Sequence, residues 1–288
     1  MKDDQPEKAI LLFSCPDSRG IVAEVSHFIF MFGGNVINSD QHRDPESNTF
    51  FMRVEWDLAD FTIPKAKIMS AFEAIAMKYQ MNWRIEFPSI SIKLAIMVSQ
   101  YDNCLYDLIL RSRQGEMNAD ICLILSNHDS LRPIATYFDV PFIHTPMTKE
   151  NRPIVEQEQL RILAEHNIGL VVLARYMQIL SPDFIAAFPN RIINIHHSFL
   201  PAFIGAKPYH QAYERGVKII GATSHYVTSE LDQGPIIEQD VSRITHKDDI
   251  PDLVSKGRNL EKTVLSRAVK LHLEHRVLPF GNKTIVFE

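Results

Sequence analysis

Arg191-Ile192-Ile193-Asn194-Ile195-His196-His197-Ser198-Phe199-Leu200-Pro201 is a nearly unbroken apolar run that passes abruptly into a polar loop. A strand covered by helices on both faces reads this way, because no alternate position needs to meet water. The same signature recurs at Leu94–Val98, Ile121–Leu125 and Ile168–Leu173. Helical segments separate most of these runs, Glu156–His166 for instance, as the crossovers between parallel strands require. Ile219–Val227 and Pro235–Val241, parted by Thr228–Gly234, predict two more strands. Leu260, Val264, Ala268 and Leu271 then line one face of a long helix opening near Ile250. Residues 89–288 are therefore expected to form one domain around a mostly parallel sheet, with the boundary at Pro88-Ser89.

Upstream of that boundary the periodicity changes. Ala9–Ser14 is a compact apolar run. Ile21, Val25, Phe28, Ile29 and Phe32 then recur at helical spacing, and Gly33-Gly34 ends that helix. Phe50, Met52, Val54 and Trp56 alternate with Phe51, Arg53, Glu55 and Asp57, the period of a half-buried strand. Ile68, Phe72, Ile75 and Tyr79 mark a second helix just after Pro64, and Trp83, Ile85 and Phe87 alternate as a closing strand. With a strand at Asn35–His42 the order is β-α-β-β-α-β, a ferredoxin-like arrangement of two helices on one face of a four-stranded antiparallel sheet. The fold class is α/β: a ferredoxin-like domain over 1–88 and a Rossmann-like, mostly parallel domain over 89–288.

The 288 residues carry 30 Lys and Arg against 35 Asp and Glu, a formal charge of −5. No basic surplus exists to hold a phosphate backbone, so nucleic acid is not an expected partner. The longest nearly apolar stretch, Ile168–Ala174, is far short of the ~18–20 residues of a membrane span, so no membrane is expected either. Met1-Lys2-Asp3-Asp4-Gln5-Pro6-Glu7 is acidic where a secretory signal is basic and then apolar. Cys15, Cys104 and Cys122 are scattered and form neither a disulfide framework nor a Cys-x-x-Cys site. The expectation is a protein of a reducing compartment, the cytoplasm.

Residues two apart on a strand face the same way, so Asn194 and His196 project together while His197 is expected to point elsewhere. They stand at the carboxyl end of a parallel strand, where α/β sheets place ligands. Downstream, Glu230-Leu231-Asp232-Gln233-Gly234-Pro235 sets a carboxylate in a turn between two apolar runs. An amide donor, an imidazole and a carboxylate form a working set for acyl transfer. On the residues alone a second reading stands, in which Asn194 and His196 only satisfy main-chain groups and Asp232 only shapes a turn. No metal is expected. His196 and His197 are adjacent, no His-Glu-x-x-His helix occurs, and His272 and His275 suit the C-terminal end of a helix dipole.

Two resemblances sharpen this picture. Pro16-Asp17-Ser18-Arg19-Gly20-Ile21-Val22-Ala23, with Gly34-Asn35 after the first helix, resembles the ACT domain over residues 6–88. That likeness implies an amino-acid effector held near Asp17, Gly20 and Asn35, and a homo-oligomer in which such sheets pair. A turn and a helix start account equally for Asp17 and Gly20. Asn194-Ile195-His196-His197-Ser198-Phe199-Leu200-Pro201, followed by Glu230-Leu231-Asp232-Gln233-Gly234-Pro235-Ile236-Ile237, is similar to the folate-dependent formyltransferase family over residues 91–285. The resemblance implies that Asn194, His196 and Asp232 are catalytic. It further implies that Met177, Ile179, Leu180, Phe184 and Val227 contact the folate, with His225 in support. Lys207 and Tyr209 either order the neighbouring loop or meet substrate. Val98-Ser99-Gln100-Tyr101-Asp102-Asn103-Cys104-Leu105 has no glycine to cradle an acceptor phosphate and carries Asp102, which would repel one. An ACT domain ahead of such a unit resembles the hydrolytic branch of the family, which passes the formyl group of 10-formyltetrahydrofolate to water. That implies a folate substrate and no separate cofactor.

Overall fold

The structure, a computed structural model, describes residues 7–88, 91–201 and 208–288. It divides into two compact units. One comprises Met1–Ser91, Glu274–Leu278 and Ile285–Glu288; the other comprises Ile92–Leu273 and Pro279–Thr284. The sequence reading assigned all of 89–288 to the second.

In the first unit the chain runs β1 (Lys8–Pro16), α1 (Ile21–Met31), β2 (Val36–Asp44), β3 (Thr49–Asp57), α2 (Ile68–Lys78) and β4 (Asn82–Glu86). Among the described residues these strands form one four-stranded sheet in the order β2-β3-β1-β4, each pair antiparallel. Leu11, Phe13, Met52, Val54 and Trp56 on one face pack with Ile21, Val25 and Phe28 of α1 and Ile68 and Phe72 of α2. Helix α1 ends as the glycines require. Gly33, at φ +81°, donates to Phe30 and Gly34 to Ile29, and a Cβ at Gly33 would stand 2.5 Å from the Asp60 carbonyl. This double bond satisfies carbonyls that the helix end leaves open.

The expected half-buried character of β3 does not hold. Phe51 is fully buried and Arg53 only 5% exposed on the face opposite the helices. The reason is the returning chain end: Arg53 donates to the carbonyls of His275 (3.0 Å) and Glu274 (3.2 Å), and Arg84 donates to that of Val277 (3.1 Å). A guanidinium can be buried where its donors find main-chain acceptors.

The second unit contains β5 (Ile92–Val98), α3 (Asn103–Arg113), β6 (Ala119–Ser126), α4 (Arg132–Tyr137), β7 (Phe142–His144), α5 (Arg152–Glu165), β8 (Leu170–Leu173), α6 (Pro182–Ala187), β9 (Ile192–His196), α7 (Pro208–Arg215), β10 (Ile219–Tyr226), β11 (Ile236–Arg243) and α8 (Ile250–Leu273). Two short strands, β12 (Val277–Phe280) and β13 (Lys283–Val286), form a terminal hairpin. The described strands β5 to β11 make a seven-stranded sheet in the order β11-β10-β9-β8-β5-β6-β7. From β9 to β7 it is parallel, and β10 and β11 add an antiparallel edge. Strands β5 and β8 are buried almost throughout, as strands covered on both faces must be. The chain builds outward from β5 through β6 to β7, then returns to the other side of β5 with β8. A crevice opens at such a reversal beyond the carboxyl ends of the strands, and that is where this sheet can hold a ligand.

Candidate active site

A cavity of about 600 Å³ opens at that reversal. Tyr101 and Asn103 reach it from the turn after β5, Arg175–Leu180 from the loop after β8, and Asn194–His197 from the end of β9. Its volume falls in the range of small-molecule sites.

Strand register sets the polar wall. Asn194 lies directly across from His225 in the antiparallel β9–β10 pair, and His196 lies across from Thr223. Asn194 and His196 share a strand face, so both enter the cavity. Asp232 arrives from the turn that joins β10 to β11. The Tyr226 amide donates to the Pro235 carbonyl at 2.9 Å and closes this turn. A Cβ at Gly234 would lie 1.8 Å from the Tyr226 oxygen, so only glycine fits there. Asp232 itself adopts φ +56°. Its Oδ2 is 3.3 Å from His196 Nδ1, and its Oδ1 is 3.7 Å from His225 Nε2.

Tautomers follow from the partners. The Tyr226 carbonyl, 2.9 Å from His225 Nδ1, can only accept, so Nδ1 carries a proton. His225 Nε2 then faces the Asn194 amide at 3.2 Å and takes a hydrogen bond from it when the ring is neutral. The second N–H of Asn194 remains to serve a ligand oxygen. His196 spends Nδ1 on Asp232, while its buried Nε2 has no hydrogen-bond partner among the described residues. The hydrogen bond with His196, and then the closeness of His225, outweigh burial and hold the Asp232 carboxyl well below the usual carboxylate range. Burial, with the charges of Arg175 and His196, pushes His197 down to about 3.

The apolar wall is pinned from below. The Ser99 hydroxyl accepts from the Met177 amide (3.0 Å) and donates to Asn127 (2.7 Å), and the Ser181 amide donates to buried Glu156 (3.1 Å). Met177 and Ile179 are half-exposed at the cavity, Leu180 and Val227 also line it, and Leu180 is 7% exposed. Phe184 is a correction: it is fully buried among Phe188, Leu173 and Tyr176, and its neighbour Ile185 lines the cavity instead. His197 is another. The strand ends at His196, so the alternation that was to turn His197 away no longer applies, and the two rings lie 5.2 Å apart on the same cavity. Tyr209 lines the cavity and donates to Glu261 at 2.8 Å; Lys207 falls outside the described residues. Asp102 precedes α3 and does not line the cavity, although Tyr101 and Asn103 on either side do. Among the described residues no cluster of His, Cys, Asp or Glu is arranged to hold a metal ion, and no helix is long and apolar enough to cross a membrane.

In the first unit, Asp17 accepts from Arg43 at 2.6 Å, and Gly20 precedes α1 at φ +93°. Asn35 is exposed beyond the other end of that helix, which spans about 16 Å.

The Formyl transferase family model matches residues 92–269. The formyltetrahydrofolate deformylase of Synechocystis sp. is 53% identical over 97% of this chain and 98% of its own. That of Bacillus subtilis is 50% identical over 99% and 96%. The chain belongs to the formyltetrahydrofolate deformylase family. A crystal structure of the family's member from Pseudomonas syringae pv. tomato superposes with a TM-score of 0.96 at 44% identity, covering 100% of this chain and 96% of that one.

Within this deformylase-family site, sequence reasoning missed Arg175 and Glu261. Buried Leu253, Gly257, Glu261, Val264 and Ala268 form the inner stripe of α8. Of the expected stripe, Val264 and Ala268 lie on it, while Leu260 and Leu271 are half-buried. A carboxylate recurring at core spacing between Gly257 and Val264 was the available signal.

Proposed function

We propose that the protein hydrolyses 10-formyltetrahydrofolate to formate and tetrahydrofolate. The observation that carries this reading is the meeting of Asn194, His196 and Asp232 on one wall of a cavity whose other wall is apolar. The folate ring lies against Met177, Ile179, Leu180 and Val227, with the 227–232 main chain at its polar edge. Asp232, ionised at neutral pH, orients a water and takes its proton as the oxygen attacks the formyl carbon. The free N–H of Asn194 and His196 Nε2, carrying a proton, donate to the oxyanion. As the tetrahedral intermediate collapses, the bond to the folate nitrogen breaks, that nitrogen takes the proton Asp232 accepted from the water, and formic acid leaves and ionises to formate. Acid–base help of this kind supplies about 10²–10⁴-fold, and one oxyanion donor about 10²–10³-fold. His225 holds Asn194 and Asp232 in place.

The N-terminal unit serves, in this reading, as an ACT domain that binds an amino-acid effector and pairs copies of the chain into a homo-oligomer. Its exposed edge strand β2 supports the second role. The three free cysteines fit the reducing cytoplasm.

Incubation with 10-formyltetrahydrofolate and no acceptor is the test. Formate in step with tetrahydrofolate is expected. Folate binding without formate, or release only when an amine is added, overturns the reading. Titration of amino acids into the same assay tests the effector role.

A further inference from the structure

Water is the smallest acceptor, and a cavity of this size must keep others out. Opposite the apolar wall, a buried network draws on four separate segments of the second unit. Glu261 of α8, 1% exposed, accepts from the Tyr209 hydroxyl of α7 at 2.8 Å and from the Asn103 amide at 3.1 Å. Arg175, 8% exposed and at φ +64°, places Nη1 3.4 Å from the same carboxylate. The Arg175 guanidinium also lies over the Tyr101 ring, 4.6 Å from its centroid. Gly257 makes room for Tyr209, since a Cβ there would stand 2.1 Å from the phenol oxygen. The His197 ring stands between this network and His196, 5.2 Å from one ring and 6.2 Å from Tyr209.

The consequence is chemical as well as steric. A buried carboxylate takes up Arg175, so this cation is already paired when an anionic acceptor arrives. Tyr209 and Asn103 point their donors at Glu261 and so turn them away from any ligand. The tyrosine hydroxyl, buried and beside that carboxylate, is held in its protonated donor form. Tyr101 roofs what remains.

We infer that the Glu261–Tyr209–Asn103–Arg175 network, roofed by Tyr101, is the acceptor filter of this site: it closes the end of the cavity beside His197 so that water, and no amine, reaches the formyl carbon. The inference rests on the hydrolytic reading above. When the filter is opened, an amine nitrogen attacks the formyl carbon in place of water. The new C–N bond forms, the bond to the folate nitrogen breaks, and that nitrogen takes the proton the amine gives up.

The test uses the full-length protein with 10-formyltetrahydrofolate and glycinamide, measuring formate and N-formylglycinamide in the same reaction. The product ratio is the readout, because a merely structural defect lowers both products together. Wild type is expected to give formate with only trace N-formylglycinamide, which sets the reference ratio. Glu261→Ala, which frees Arg175 and opens space, is expected to raise the formylamide-to-formate ratio by about 10–100-fold. Tyr101→Ala, at the cavity rim and partly exposed, decides the matter if the first variant does not fold. A ratio in the folded variants equal to wild type overturns the filter while leaving the hydrolytic reading intact. Wild type that forms no formate overturns both.

Discussion

Changing Asp232 to Asn keeps the size of the side chain and removes its charge. The carboxylate lies 3.3 Å from His196 Nδ1, and the two side chains are 14% and 8% exposed, so water screens the pair only in part. At that separation two unit charges interact by about 5 kcal/mol at an effective dielectric of about 20, and by about 2.5 kcal/mol at about 40. In the proposed mechanism Asp232 takes the proton of the attacking water, so its charge acts in the transition state more than in the bound substrate. Its loss converts to a fall in kcat of about 10²–10⁴-fold, the same range that removal of a general base gives. Asp232 is held ionised well below neutrality, chiefly by its hydrogen bond with His196, so its own protonation does not enter a comparison made at neutral pH. The KM should change little, since Met177, Leu180 and Val227 are untouched. Steady-state formate release at saturating 10-formyltetrahydrofolate measures kcat, and a melting curve checks the fold. A folded variant with kcat within about tenfold of wild type refutes the role assigned to Asp232.

Gly234→Ala drives a Cβ into the Tyr226 carbonyl and must open the turn that delivers Asp232; displacement of a reacting group by about 1 Å is expected to lower kcat about 10²-fold. Unchanged turnover in the same assay would show that this closure does not position the carboxylate. His197 resists protonation in the folded state, with a pKa of about 3 against an ordinary 6.5. The unfolded chain therefore binds a proton the folded chain refuses as pH falls below 6.5, and stability falls with it. At pH 5 this amounts to about 2 kcal/mol. His197→Gln should remove that part of the difference between urea unfolding at pH 7 and pH 5; His275, pushed down to about 4 by burial and by Arg84 and Arg53, keeps its own. An undiminished difference in the variant would reject the assignment.

The polar wall of the cavity was legible because strand geometry is local. Asn194 and His196 are two apart on a strand recognisable by its apolar run, and Asp232 sits in a turn that Gly234 and Pro235 announce. The β-α-β-β-α-β order was legible for the same reason, from residues such as Ile21, Val25 and Phe28 that repeat with a helical period. What failed depended on partners remote in the chain. Arg53 looked solvent-facing because nothing near it reveals that Glu274 and His275 return to accept its hydrogen bonds. Phe184 looked like a ring contact, yet only the packing of Phe188 and Leu173 decides which way it turns. Arg175 and Glu261 are 86 residues apart, and no local period joins them. His272, expected as a surface residue of a helix end, instead meets the Tyr226 hydroxyl at 2.8 Å.

The pairing of Asn194 with His225 has a wider consequence. Their spacing is dictated by main-chain rungs between two neighbouring strands, so it works as a ruler indifferent to which aliphatic residues fill the layers above and below. Exchanges among those aliphatics can soften or stiffen the molecule while leaving that measurement unaltered. A one-residue slip of the ladder, by contrast, would turn His225 to the face opposite Asn194.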